Sequence, residues 1–204
     1  MSQNRSSAVM QQRREPRDSL DDYPTPPWAT RALCEYLSGH YDLSALTARE
    51  PAANRGFMVR PLQEYFGSVE ASDVHDYGAG FPVFDFVGME RPSRVDWTIT
   101  NPPFRLAEAF INRALETSRV GVAVIVRSAF LEGIGRYEGM FRDTPPTRIM
   151  QFVERVPMVK GGYDPSAASA TSYSWLVWVL GEERRPLEWI APCRRRLERE
   201  GDAQ

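Results

Sequence analysis

Apolar and polar positions follow two periodicities along the chain. Leu33, Tyr36 and Leu37 recur at helical spacing within residues 29–37, and so do the apolar residues of Leu106 to Ser118 (LAEAFINRALETS), which predicts an amphipathic helix at each place. Ahead of the first lies Tyr23-Pro24-Thr25-Pro26-Pro27-Trp28, where prolines suit a first helical turn because their missing N–H would be unpaired anyway. A further helix is predicted over Phe57 to Phe66 (FMVRPLQEYF), with Pro61 tolerable only near its start. Strands are predicted at Val69 to Ser72, Val95 to Thr100, Val120 to Val126 (VGVAVIV), Ile149 to Val153 and Tyr173 to Leu180. The unbroken apolar run of the third suits a central strand covered on both faces. Residues 95–126 thus read strand, helix, strand, a right-handed βαβ unit. The last two strands are expected to pair across a loop of small residues at 161–170, and the tail to add a short strand and a charged helix. No internal repeat occurs. The fold class is α/β.

With 42% apolar and 25% charged residues, the 204-residue chain fits one globular domain. Residues 1–22 are polar, charged and aperiodic, and are expected to be a disordered arm ahead of a single domain over 23–204. No apolar stretch approaches the roughly 20 residues of a membrane span, and the N-terminus has no signal-peptide core. Cys34 and Cys193 are far apart, and His40 and His75 are the two histidines. That pattern fits neither a disulfide framework nor a metal centre, so no metal and a cytoplasmic location are expected. The net charge of −2 hides an uneven distribution. Residues 19–118 carry eight Arg against fourteen acids, whereas residues 119–160 carry six Arg and Lys160 against four acids. The basic stretch permits an anionic partner, and it is equally what an ordinary solvated surface looks like.

The sharpest chemical feature is Asn101-Pro102-Pro103-Phe104, between a predicted strand and a predicted helix. In open α/β sheets ligands sit beyond the carboxyl ends of the strands, where this turn falls. Two prolines remove two backbone donors and leave carbonyls. With the Asn oxygen and one aromatic ring, the turn suits a planar amino group, its two N–H bonds accepted and its ring stacked. Upstream, Glu50-Pro51-Ala52-Ala53-Asn54-Arg55-Gly56 is an acidic residue followed by a small-residue turn into a helix, which lets a ligand approach backbone closely. It is not the dinucleotide G-x-G-x-x-G fingerprint. Asn54 stands where glycine is expected, and asparagine is the best substitute in a left-handed conformation. Asp73 follows a predicted strand, where a carboxylate can accept ribose hydroxyls. Asp85-Phe86 offers an acceptor and an apolar surface for a purine.

Taken in order, these residues resemble the class I S-adenosylmethionine-dependent methyltransferases, specifically the DNA N6-adenine methyltransferases of short phage or prophage type, from about Tyr23 to Leu180. Asn101-Pro102-Pro103-Phe104 matches that family's [DNS]-P-P-[YFW] catalytic signature. The resemblance implies a Rossmann-like, mostly parallel seven-stranded sheet with helices on both faces and an antiparallel C-terminal hairpin. It implies S-adenosyl-L-methionine as cofactor, held by Glu50, Ala52, Asn54 and Gly56 of the cofactor loop, by Asp73 at the ribose and by Asp85 and Phe86 at the adenine. Tyr23, Thr25 and Pro26 would close over its methionine end. Asn54 departs from the family's glycine. A separate recognition domain does not fit in this length, so recognition is expected from an insert at about 130–170.

Within that resemblance Asn101 and Pro102 accept the two amino hydrogens of an adenine flipped out of DNA and stacked on Phe104. Arg127, Ser128, Arg136, Arg142 and Arg148 are expected to hold the phosphates. Three alternatives stay open: the same chemistry on an rRNA amino group, the same chemistry on a protein glutamine amide, and a non-catalytic binding module.

Overall fold

The computed structural model describes residues 21–203. The expected arm lies outside these residues, apart from Asp21 and Asp22 at its end. Seven strands form one sheet: β1 (Thr47–Glu50), β2 (Ser68–Ala71), β3 (Val95–Thr100), β4 (Ser118–Arg127), β5 (Arg148–Phe152), β6 (Tyr173–Val179) and β7 (Glu188–Ile190). Their spatial order is β2-β1-β3-β4-β6-β5-β7. β1 to β4 pair in parallel, β5 and β7 also pair in parallel, and β6 runs antiparallel to both its neighbours. This is the expected mostly parallel sheet, with β5–β6 as its antiparallel hairpin.

Side chains alternate across the sheet as the pleat requires. Trp97 and Ile99 of β3, Ala123 and Ile125 of β4, and Trp175 and Val177 of β6 point to one face. Helices α1 (Pro27–Ser38), α2 (Val59–Gln63) and α5 (Arg194–Leu197) cover that face with Trp28, Leu33, Leu37, Leu62 and Leu197. Val122, Val124, Leu176 and Trp178 point to the other face, under α3 (Ala107–Thr117) and the segment bearing Phe130 and Met140. Close packing at the centre is visible at Gly121, where an added Cβ would stand 2.6 Å from the Trp97 ring and 2.7 Å from the Trp178 carbonyl oxygen.

Two stretches differ from the reading of the sequence. β1 was not expected, because its four residues include Arg49 and Glu50, both buried. The segment 130–170 is not one insert, since β5 divides it. Its first part holds the short helix α4 (Ile134–Arg136) and a wide helical turn at Tyr137–Phe141, and its second part is the loop back to β6.

Candidate functional site

The carboxyl ends of β1, β2 and β3 meet at a cleft of about 390 Å³. Eight of the ten expected cofactor residues line it: Tyr23, Thr25, Glu50, Ala52, Asn54, Asp73, Asp85 and Phe86. Pro26 and Gly56 do not. Pro26 precedes α1 as its capping residue, and Gly56 makes the turn behind the cleft. Gly56 has a φ of +85°, and a side chain there would meet the Phe81 ring at 3.1 Å. Asn54 takes the left-handed conformation that the glycine substitution demands, with a φ of +50°.

The loop is held by the acids around it. Glu50, at the end of β1, accepts hydrogen bonds on Oε1 from the Thr100 hydroxyl (2.6 Å) and the Ala52 N–H (2.9 Å). Burial, only partly offset by these two donors, pushes its carboxyl up to about 8, with Asp73 adding to the rise. Asp73 accepts the Asn54 N–H on one oxygen (2.9 Å) and the His75 N–H on the other (3.0 Å). Its place beyond β2 is fixed by a single-residue bridge to Val83. Asp85 is exposed and accepts the Val87 N–H at 3.1 Å. Phe86 is buried against Phe110, its ring centroid 5.2 Å away, so it forms the floor of the cleft as much as a contact surface.

The four lining acids, Asp21, Glu50, Asp73 and Asp85, are accompanied by no Arg, Lys or His among the described lining residues. The rest of the wall is largely apolar. Tyr77, which sequence reasoning missed, closes one side, with the Arg55 guanidinium 5.0 Å from its ring centroid. Burial, together with Asp73 and Asp22, raises its phenol to about 12.

Asn101-Pro102-Pro103-Phe104 stands between this cleft and a second hollow of about 40 Å³. Asn101 and Pro103 line the cleft, whereas Asn101, Pro102 and Phe104 line the hollow with Arg127, Met158 and Tyr173. The Asn101 Nδ2 donates to the Tyr23 carbonyl (2.8 Å) and lies 3.7 Å from the Met158 sulfur. The amide's donor side is thereby spent within the protein, and Oδ1 is the side left to accept. Phe104 is half exposed, and the Arg127 guanidinium sits 5.5 Å from its ring centroid.

A short strap joins the two loops. The Asp21 Oδ2 accepts the Phe104 N–H (2.6 Å), Asp22 pairs with Arg55 (3.1 Å) and accepts from the Asn54 amide (2.7 Å), and Tyr23 holds Asn101. The sequence had placed Asp21 and Asp22 in the arm.

The expected phosphate ligands fare differently. Arg148 is 1% exposed, paired with Glu182 and set over the Tyr36 ring, so it belongs to the interior of the sheet. Ser128 shares hydrogen bonds with Gln151 and Ser174 inside the sheet rather than facing outward. Arg136 donates to the Phe130 and Glu132 carbonyls and pairs with Glu108, fastening α4 to α3. Arg142 is exposed and pairs with its neighbour Asp143. Of the five, Arg127 alone adjoins the Asn-Pro-Pro-Phe turn.

Solved structures share this architecture. The methyltransferase subunit of a type I restriction–modification system from Streptococcus thermophilus aligns over 91% of this chain with a TM-score of 0.60 and 9% identity. A candidate RNA methyltransferase from Pyrococcus horikoshii aligns over 80% of this chain and 90% of its own, with a TM-score of 0.59 and 19% identity. Magnesium protoporphyrin IX methyltransferase from Synechocystis PCC 6803, with bound S-adenosylmethionine, aligns over 75% of this chain and 78% of its own, with a TM-score of 0.52 and 13% identity. The chain has a methyltransferase fold. It spans 45% and 50% of the length of the restriction–modification subunits it matches. No family model and no curated protein matches the sequence. Among the described residues no helix is long and apolar enough to cross a membrane.

Proposed function

We propose that this chain is an S-adenosylmethionine-dependent methyltransferase that methylates the N6 amino group of adenine in DNA. The observation that carries the reading is an acidic cleft, with no cation among its described lining residues, that ends at an Asn-Pro-Pro-Phe turn. A nucleotide or dinucleotide would bring phosphates, which the carboxylates of Asp21, Asp73 and Asp85 repel. A sulfonium nucleoside brings positive charge, ribose hydroxyls and a flat purine, and the lining offers carboxylates for the first two and Phe84, Phe86 and Val87 for the third. The cleft's volume lies in the range of small-molecule sites. The likeness to a methyltransferase with bound S-adenosylmethionine supports the same cofactor.

When bound, the cofactor supplies an electrophilic methyl group. The chain's own residues supply the acceptor geometry. Asn101, fixed by Tyr23, presents Oδ1, and Pro102 presents a carbonyl because the proline pair has no competing N–H. Two accepted hydrogens draw a delocalised amino nitrogen toward tetrahedral geometry and direct its lone pair at the cleft. This is catalysis by position and oriented dipoles. Phe104 and Arg127 offer the ring and the cation against which a flipped base stacks. The second hollow holds only a few waters as it stands, so it widens when a base enters. The likeness to restriction–modification subunits supports nucleic acid as substrate.

The test is incubation with methyl-labelled S-adenosylmethionine and separate pools of duplex DNA, RNA and protein, followed by nucleoside and peptide analysis. N6-methyladenine from the DNA pool is the expected product. Label confined to RNA or to glutamine would reassign the acceptor. Titration calorimetry without heat at millimolar cofactor would remove the methyltransferase reading and leave a binding module.

A further inference from the structure

Amine methylation leaves a proton to be removed. The nitrogen that receives the methyl group carries one hydrogen too many, and an amide oxygen and a peptide carbonyl can orient that hydrogen without taking it. Among the described residues three line both hollows: Asp21, Tyr23 and Asn101. Of these, only the aspartate offers a carboxylate able to take up a proton.

The placement of Asp21 is specific. Its Oδ2 accepts the N–H of Phe104 at 2.6 Å, the last residue of the turn. Its carbonyl accepts the N–H of Tyr23 at 3.1 Å, and the Tyr23 carbonyl in turn holds Asn101, the first residue of the turn. The residue is thus tied to both ends of the acceptor loop, by its carboxylate to Phe104 and by its backbone through Tyr23 to Asn101, with the carboxylate Oδ1 left over. Asp21 is exposed, which gives a proton an exit to water. The other acids serve elsewhere: Glu50, Asp73 and Asp85 line the cleft but not the hollow, Glu50 accepting from the Thr100 hydroxyl and the Ala52 N–H, Asp73 from the Asn54 and His75 N–H groups and Asp85 from the Val87 N–H.

We propose that Asp21 is the proton acceptor of the reaction, an inference that rests on the amine-methylation reading. The amino lone pair forms the new N–C bond while the S–C bond breaks, and that bond's electron pair stays on sulfur as a neutral thioether. The surplus N–H proton passes to the Asp21 carboxylate and from there to solvent. The turn has an asparagine where an acidic residue could have served as base, and Asp21 brings the missing carboxylate from a different part of the chain. Its negative charge also lines the cleft that would hold the sulfonium.

The experiment uses the full chain and the variants Asp21→Asn and Asp21→Ala. Asn keeps an acceptor for the Phe104 N–H, so it preserves the strap and removes only the basicity. Single-turnover methylation of an adenine-containing duplex is followed at neutral pH. Asp21→Asn should be slower than wild type by about 10²–10³, because an amide cannot take up the proton. In parallel, calorimetry compares S-adenosylmethionine with S-adenosylhomocysteine. The cation should be favoured over the neutral thioether in wild type, and this preference should shrink several-fold in Asp21→Asn. An Asp21→Asn enzyme with the wild-type rate overturns the proposal, including the case where Asp21→Ala alone is impaired, which would make Asp21 a structural tie. If wild type methylates nothing, the functional reading fails. The cofactor comparison then still decides, because an unchanged preference in Asp21→Asn shows that its charge does not face the methyl site.

Discussion

On the β1–β2 side of the Asn-Pro-Pro-Phe turn, residues scattered from Tyr23 to Phe86 converge on one cleft. On the β4 side, five residues expected to grip phosphate disperse: one is buried, one is inside the sheet, two are paired within the chain, and Arg127 alone adjoins the turn. The difference comes from what sets each position. A residue just past a parallel strand is carried to the same edge of the sheet whatever its neighbours are, so strand order is enough to assemble Glu50, Asp73 and Asn101. An arginine on a strand or connecting turn goes where its partners are, and the partners here, Glu182 for Arg148 and Glu108 for Arg136, lie 34 and 28 residues away. No local pattern reveals them. A locally positive count of +3 over residues 119–160 is therefore weak evidence for a phosphate-binding face.

The sharpest way to break the comparison is Asn101→Ala. If the cleft and turn form one catalytic unit, methyl transfer should fall by about 10²–10³ while cofactor affinity stays within a few-fold, since the loss is of an acceptor that matters most in the transition state. Rates and calorimetric affinities measured on the same preparation check this. A near-normal rate would show that Asn101 is not an acceptor in the reaction and undo the significance of the cleft beside it.

Arg148→Ala tests the other region. A side chain at 1% exposure contributes packing against Tyr36 as well as its pairing with Glu182, so truncation should destabilise the fold by about 2–4 kcal/mol. The salt dependence of nucleic-acid binding, measured where the variant is folded, should not change. A reduced salt slope without loss of stability would return Arg148 to the surface role its sequence position suggested.

Much of the sheet was readable because its strands are apolar runs of ordinary length: β3, β4 and β6 lie within a residue or two of the stretches expected. β1 was not, because a four-residue strand with two buried charges, Arg49 and Glu50, reads as a loop. Asp21 escaped for the opposite reason: polar, aperiodic sequence gives no sign that two of its residues, Asp21 and Asp22, tie down two loops. The left-handed turn at Asn54 was legible, since few non-glycine residues take that conformation and the ligand loop required it.

Glu50 gives a smaller, pH-dependent effect. Its folded carboxyl stands near 8, above the ordinary 4.5, so the folded protein holds this proton more tightly than the unfolded chain. The stability it contributes is full below about pH 4.5 and is lost as pH rises toward 8. Glu50→Gln should remove that slope, on the order of 1–3 kcal/mol between pH 5 and 8, read by denaturant unfolding of both proteins. A cationic cofactor favours the carboxylate, so binding to wild type at pH 7 should release protons, seen as a buffer-dependent calorimetric enthalpy that Glu50→Gln lacks. Equal slopes in the two proteins would mean that Glu50 is ionised in the empty cleft.

The smallest effect belongs to Arg127, and it decides how much of the β4 side remains a nucleic-acid surface. Arg127 is exposed at the end of β4, beside Tyr173 in the strand register, with its guanidinium over Phe104. It is therefore placed to meet either a phosphate or the face of a base. If it meets a phosphate, Arg127→Ala should weaken duplex binding by about tenfold or less at low salt and reduce the slope of log affinity against log salt by about one. Arg142→Ala should leave the slope nearly unchanged, because Arg142 is already paired with Asp143 and lies away from the turn. If Arg127 instead stacks on the base, the slope should hold while the preference for a mispaired, easily flipped adenine declines, since stacking helps pay for unpairing. Fluorescence anisotropy with matched and mismatched duplexes at several salt concentrations separates the two. No change in either quantity would leave the β4 side without a contact to nucleic acid among the arginines assigned to it.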